Sequence, residues 1–517
     1  MNFESESCHG WTQSYAMLHL CKGLHVSQSE STLSPGSSCS STPPRSNSKP
    51  LPVLRDYGSV RHTELWKWLW LDFSRPVSSE VPRLIRKNMR QCSRNHLDLE
   101  ALEPICETAV GLSQSNSSLF KEGSQSAAIF TLVSSAMGAG CLSLPFMLKT
   151  AGIIPGLLML FLGAVLAHLS LVVLMSCSRY TESESFSKLV ALTARTSGAG
   201  ASRSVDVVIA VYGIAAVLCY LMFIGDFFLG IVQSPLLQLN LSRETLIVII
   251  SVLVVWPLSL PRDLSALRHV CVLSVLAICL TAVAVALKAP SYAQLGSQAD
   301  PDAWQLVWWK SDPYAMLQSF SIALFSFAAH TNAVPVATSL KAADGASIWR
   351  VSLYSVCIEF VFYLLMGLAG YVSFRGFTEQ DFILNYRNDD MMMFSVRCIY
   401  GIVVCLGAPI NLSPAASSIQ GLLGSRGDRR RHFMVVTSII ASCVAIALWC
   451  KQVADVIGLI GASFGSLIVL AWPAMIYRQA LFDMHPKRMS QAIFYALSFG
   501  AALGVTSFLV QLGCGSR

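Results

Sequence analysis

Two short stretches hold the residue types that can grip a small charged molecule inside an apolar protein. One is Ser134–Pro145, SSAMGAGCLSLP, and the other is Phe325–Lys341, FSFAAHTNAVPVATSLK. Each puts Gly, Pro or small polar residues into an apolar run of membrane length, where freed backbone is tolerated only against a protected cavity. In the first, Gly138-Ala139-Gly140 weakens a helix by about 1 kcal/mol per glycine. The N–H groups of Gly140, Cys141 and Leu142 would then open a second half-helix. Such groups, backed by the helix dipole, suit a carboxylate. The carbonyls around Ser134–Met137, closing the first half-helix, suit an ammonium or a cation, so a zwitterion fits both ends. Small-residue runs also serve close helix packing, and this motif alone leaves the two readings level.

The second stretch tips the balance. Phe325-Ser326-Phe327 precedes His330-Thr331-Asn332 and then Pro335. Proline frees the carbonyl four residues earlier, here that of Thr331, which predicts a mid-membrane break. The Phe325 and Phe327 rings can wall a small side chain. Interrupted spans at matching places in two halves of a chain mark a solute site. The candidate binding residues are therefore Ser134, Ser135, Gly138, Ala139, Gly140, Cys141, Phe325, Ser326 and Phe327. Tyr220 joins them as a hydroxyl that can close over the solute, or as a packing aromatic. Glu359, Asp226 and His330 are titratable groups inside apolar segments and hence candidate ion carriers, the alternative being structural partners between helices. His168 reads as packing. No nucleophile–base pair or metal-ligand cluster accompanies His330, so an enzyme is not expected.

These residues need membrane-spanning helices to position them. The chain has 517 residues, 53% of them hydrophobic and only 13% charged, against about 25% charged in soluble proteins. Its net charge of +7 fits the Lys and Arg excess of cytoplasmic loops and does not call for nucleic acid. Sixteen cysteines contain no CxxC pair, which speaks against a zinc site and a disulfide framework and for small buried apolar residues. No signal peptide is visible, so the first span would serve as the targeting signal. Residues 1–123 read as a largely disordered cytoplasmic region, most plainly in the Ser-, Pro- and Thr-rich stretch Ser27–Pro50. Within it, Trp66, Trp68 and Trp70 form a patch too short to span, followed by the basic run Arg83, Arg86, Lys87, Arg90 and Arg94.

A transmembrane domain over 124–512 follows, with eleven apolar segments of about 20 residues. Their limits are 126–148, 153–176, 205–233, 244–260, 269–288, 315–337, 351–374, 393–413, 433–450, 454–477 and 490–511. Basic residues such as Arg179, Lys188, Lys341, Arg350, Arg429–Arg431 and Arg478 fall on one side. The acids Asp300, Asp302, Asp312, Glu379, Asp381, Asp389 and Asp390 fall on the other. The positive-inside rule then puts the N-terminus in the cytoplasm and the C-terminus outside or in a lumen. Asn240-Leu241-Ser242 is an outer-facing glycosylation candidate, whereas Asn411-Leu412-Ser413 lies inside a span and is discarded.

AMGAGCLSLP and FSFAAHTNAVPVATSLK resemble the first- and sixth-span patterns of the amino acid/auxin permeases, which include sodium-coupled neutral and vacuolar amino acid transporters. Further agreement comes in order from GIAAVLCYLMFIGD, PLSLPRDLSAL, YLLMGLAGYVSFRG, DFILNY and VIGLIGASFGSLI. The resemblance covers residues 125 to about 510. It implies an all-α polytopic membrane protein with the inverted 5+5 repeat of the LeuT-like fold. Repeats would lie at about 126–288 and 315–477, with helices 1 and 6 broken and 490–511 added. It also implies secondary transport of amino acids by alternating access, with no cofactor.

Departures from the family bear on the driving ion. Sodium-coupled members carry an asparagine at the position of Ser134 and eighth-span threonines where this chain has Cys405 and Gly407. Hard Na⁺ wants oxygen ligands, so a degenerate sodium site and coupling to H⁺, or to no ion, are expected. No acid lies at either break, which favours neutral amino acids, although Glu359 or Asp226 could meet a cationic one. A plasma-membrane or a vacuolar or lysosomal location fits equally. The long N-terminal region motivates a second reading, an amino acid sensor signalling through that tail to a cytoplasmic partner.

Overall fold

The computed structural model describes residues 123–514 apart from 184, 194–198, 262–267, 300–303, 342–343, 425–427, 451 and 483–484. The readings of the N-terminal region, its tryptophan patch and its basic run lie outside the described residues, as do those of Asp300 and Asp302.

The described chain is helical throughout. Helix α1 (Gln125–Ala136), a 3₁₀ turn (Ala139–Ser143) and α2 (Leu144–Ala151) precede α3 (Ile153–Thr181), α4 (Phe186–Thr193) and α5 (Ala199–Val232). Next come α6 (Arg243–Ile250), a π turn and α7 (Trp256–Ser259), then α8 (Arg268–Ala299). Helices α9 (Pro313–Ser326), α10 (His330–Ser339) and α11 (Gly345–Phe374) follow. The chain ends with α12 (Met391–Leu422), α13 (Arg429–Trp449), α14 (Val453–Ile460), α15 (Trp472–Ala480) and α16 (Lys487–Cys514). Two π turns, Gly461–Gly465 and Leu467–Ala471, join α14 to α15 into one span.

Among the described residues, nine helices are long and apolar enough to cross a membrane, and the bent pair α1–α2 brings the total to ten. The expected fourth segment, 244–260, is α6–α7, made of pieces of 8, 5 and 4 residues and shorter than the others. The protein is thus an integral membrane protein with one basic end, marked by Arg179, Lys341 and Arg350, and one acidic end, marked by Asp312, Asp381 and Asp390.

Several of those acids have a local task. Asp312, Asp390 and Asp428 accept hydrogen bonds from the first free N–H groups of α9, α12 and α13, with Tyr314 N–H at 2.9 Å, Met392 N–H at 3.0 Å and Arg430 N–H at 2.9 Å. A carboxylate at a helix N-terminus satisfies orphan donors and offsets the dipole. Asp381 does the same for the short turn Phe382–Asn385, which folds over the acidic end. Arg397 of α12 holds that turn in place. Buried to 1% exposure, it donates to the Ile383 and Tyr386 carbonyls at 3.1 and 2.6 Å.

Candidate functional site

Helices α1 and α2 meet at 50° across Met137–Ser143. The opposing break comes at Phe327-Ala328-Ala329, between the end of α9 and the start of α10. This corrects the expectation from Pro335. The proline sits inside α10, one turn past the break, so the chain unwinds before the helix rather than at its missing N–H.

The two breaks touch. A Cβ added to Gly140 would lie 2.6 Å from Ser326 Oγ and 2.8 Å from its Cα, so only glycine lets these backbones approach. The Asn332 side-chain amide donates to Ser135 Oγ at 2.6 Å, tying α10 to α1. Ser134, Ser135, Ala139, Gly140, Cys141, Phe325, Ser326 and Phe327 are all buried here. Ser134 Oγ has no hydrogen-bond partner, leaving one buried donor turned toward the interior.

Three tyrosines from other spans close around the breaks. Tyr220 of α5 reaches in so far that a Cβ on Gly138 would stand 1.8 Å from its hydroxyl. Its phenol oxygen therefore lies against Gly138, at the half-helix opening expected to receive a carboxylate. On the opposite side, a Cβ on Gly407 of α12 would lie 2.5 Å from the Tyr220 ring. Tyr220 is therefore wedged between the first break and α12, with the Asn411 amide 3.4 Å from its oxygen. Tyr400, also of α12, donates to the Gly138 carbonyl at 3.0 Å and lies 2.7 Å from Cys141 Sγ. Tyr363 of α11 donates to the Ser326 carbonyl at 2.7 Å and packs edge-on to Phe327, with centroids 5.0 Å apart. Phe325 faces the ring of Tyr212 of α5 at 6.1 Å.

Tyr363, Tyr400, Asn332 and Asn411 were not singled out from the sequence. The signal for α12 was present, since Tyr400 and Asn411 are eleven residues apart and so share one helix face. Cys405 is buried on the same helix.

The titratable candidates fall in different places. Asp226 forms an ion pair with Arg243, the first residue of α6, which also donates to the Met222 carbonyl at 3.1 Å. His330 opens α10 and is held at 2.6 Å through Nε2 by Ser170 of α3. Glu359 is fully buried in α11, and neither carboxylate oxygen has a partner. Outside the spans, burial and the neighbouring Asp226 hold the Asp381 carboxyl well above its ordinary range, partly offset by the Ile383 N–H and by Arg397 and Arg243. Among the described residues, no three His, Cys, Asp or Glu side chains gather as a metal site. The two breaks bring backbone dipoles, hydroxyls and aromatic rings together in the interior.

Residues 121–511 match the family described as transmembrane amino acid transporter protein. The chain belongs to that family. A Toxoplasma gondii protein provisionally named as an amino acid transporter is 29% identical over 60% of this chain, and the match takes in 42% of that protein's own length. A Mus musculus protein provisionally named as sodium-coupled neutral amino acid transporter 11 is 27% identical over 76% of this chain and 85% of its own. The fold is also that of a solved Eremococcus coleocola manganese transporter, with a TM-score of 0.50 at 12% identity, covering 77% of this chain and 89% of that one. The inverted-repeat architecture with two broken helices is thus shared across very different sequences.

Proposed function

We propose that this family member moves amino acids across its membrane by alternating access, with the substrate's backbone groups held between the broken helices. The observation that carries this is the contact of the two breaks at Gly140 and Ser326, ringed by Tyr220, Tyr363 and Tyr400. Ser134, Ser135, Gly138–Cys141 and Phe325–Phe327 would form the binding surface, and Tyr220 would yield its place beside Gly138 to the substrate carboxylate. The breaks carry no acid, which favours neutral amino acids.

Coupling to sodium is not favoured. A side chain on residue 407 would meet the Tyr220 ring, and Cys405 offers only a thiol. H⁺ or no ion remains, with Glu359, Asp226 and His330 the candidate carriers. In this reading the basic end faces the cytoplasm, α6–α7 makes the eleventh crossing, and exposed Asn240 at the acidic end accepts a glycan. Counterflow in proteoliposomes of purified protein, run with radiolabelled alanine, leucine, glutamine, tyrosine, histidine and arginine, tests the proposal. Exchange of at least one neutral amino acid is expected, and no exchange with any of the six would refute it.

A further inference from the structure

Helix α11 carries a buried polar seam that runs toward the break between α9 and α10. Ser352, Ser355, Glu359 and Tyr363 recur on one helix face, and each has 0% exposure. Three of the four are satisfied. Ser352 Oγ meets His168 Nδ1 at 2.9 Å, Ser355 bonds its own helix at the Val351 carbonyl, and Tyr363 donates to the Ser326 carbonyl. Glu359 alone is left with both oxygens unpartnered. An ionised carboxylate in that position would cost several kcal/mol, so the site calls for a proton or a cation on the acid.

Among the described residues, the cations on neighbouring elements are engaged elsewhere, Arg179 of α3 at the Thr338 carbonyl. Helix α1 has no charged residue. Lys149 of α2 donates to the Thr378 carbonyl, and Lys288 of α8 pairs with Asp390, both at the acidic end. His168 of α3 meets Ser352 through Nδ1 and His330 of α10 meets Ser170 through Nε2, the other ring nitrogen of each being unpartnered. From the 3₁₀ turn, Cys141 is occupied by Tyr400 and the Gly138 carbonyl.

Resting on the transport reading above, we propose that Glu359 is the proton-binding site of the cycle and that Tyr363, one turn away, links it to the break between α9 and α10. One proton from the aqueous phase on the entry side binds a carboxylate oxygen while substrate occupies the breaks, which leaves Glu359 neutral and α11 closed. After reorientation the O–H bond breaks, the proton leaves to water on the exit side, and the carboxylate is hydrated until the next proton arrives. The Tyr363 hydroxyl holds the last carbonyl of α9, so movement of α11 on loss of the proton is felt at the break itself.

The test uses proteoliposomes loaded at pH 8 and diluted to pH 6, with the amino acid that shows counterflow and with pyranine inside. Wild type should accumulate substrate at least about fivefold above equilibration and acidify the lumen. Glu359→Gln should exchange substrate yet equilibrate without accumulating it or moving protons. Tyr363→Phe should bind substrate but reduce accumulation per unit of pH gradient. Should Glu359→Gln not run as a single species on gel filtration, Glu359→Asp, which keeps a carboxyl, should still accumulate substrate, with a shifted pH dependence. Accumulation by Glu359→Gln at the wild-type level overturns the proposal, as does a Glu359→Asp variant whose pH response matches wild type. Wild-type counterflow without any response to the gradient overturns it while leaving the transport reading intact. Absence of counterflow removes both.

Discussion

At Gly138 a single methyl group decides whether the site can close, because the Tyr220 hydroxyl already occupies the place of a Cβ. Gly138→Ala should cost about 1–3 kcal/mol through overpacking and should abolish amino acid exchange by displacing Tyr220 from the first break. Tyr220→Phe removes the most severely clashing atom and leaves the ring carbon Cζ at 2.8 Å, so the double variant should recover part of the stability that Gly138→Ala loses. A nanoDSF series on the two single variants and the pair reads this directly, and additive losses would argue against the wedge. The same residue explains a departure visible in the sequence. Gly407 is small because the Tyr220 ring lies against it, so the space a side chain there would take is filled from another helix.

Among the elements, the first interruption was legible because Gly138 and Gly140 are poor helix formers in an otherwise apolar run, and the second was expected from Pro335. The exact place of the second was not legible, since Pro335 is compatible with the interior of α10 once the chain has unwound at Ala328. Partners brought from distant helices were also hidden. Tyr363 and Tyr400 look like ordinary aromatic residues in apolar segments until α11 and α12 are packed against the breaks. At the acidic end, the turn Phe382–Asn385 ends in a prediction about pH. The Asp381 carboxyl is held above its ordinary range, so folding binds a proton that the unfolded chain gives up more readily. Its stabilising contribution is full below the unfolded carboxylate's value and fades as pH rises through the folded one. Asp381→Asn keeps the acceptor for the Ile383 N–H and removes the charge. The variant should match wild type at pH 4 and melt at a higher temperature at pH 8, and a variant less stable than wild type at pH 8 would contradict this assignment.

For the molecule as a whole, the open number is one crossing, and α6–α7 decides it. Helix α5 ends at the acidic end, where Asp226 meets Arg243, while Trp256 of α7 donates to Thr437, two turns into α13 from its basic start. The short helix therefore leads from the acidic toward the basic end, and α8 can run back to place Lys288 beside Asp390. A π turn in its middle and the flanking Arg243 fit a span that is short for the bilayer, since a basic residue at a helix end can reach the interface. If that crossing is counted, as proposed above, tags at the two termini are expected on opposite faces. A protease-cleavable tag at Met1 should be cut only from the cytoplasmic side, and one after Arg517 only from the other. In the same cells, endoglycosidase should increase the mobility of wild type and leave Asn240→Gln unchanged, marking the acidic end as the glycan-bearing face. Tags cut from the same side would mean that α6–α7 turns back within the membrane, and the two repeats would then differ by one crossing.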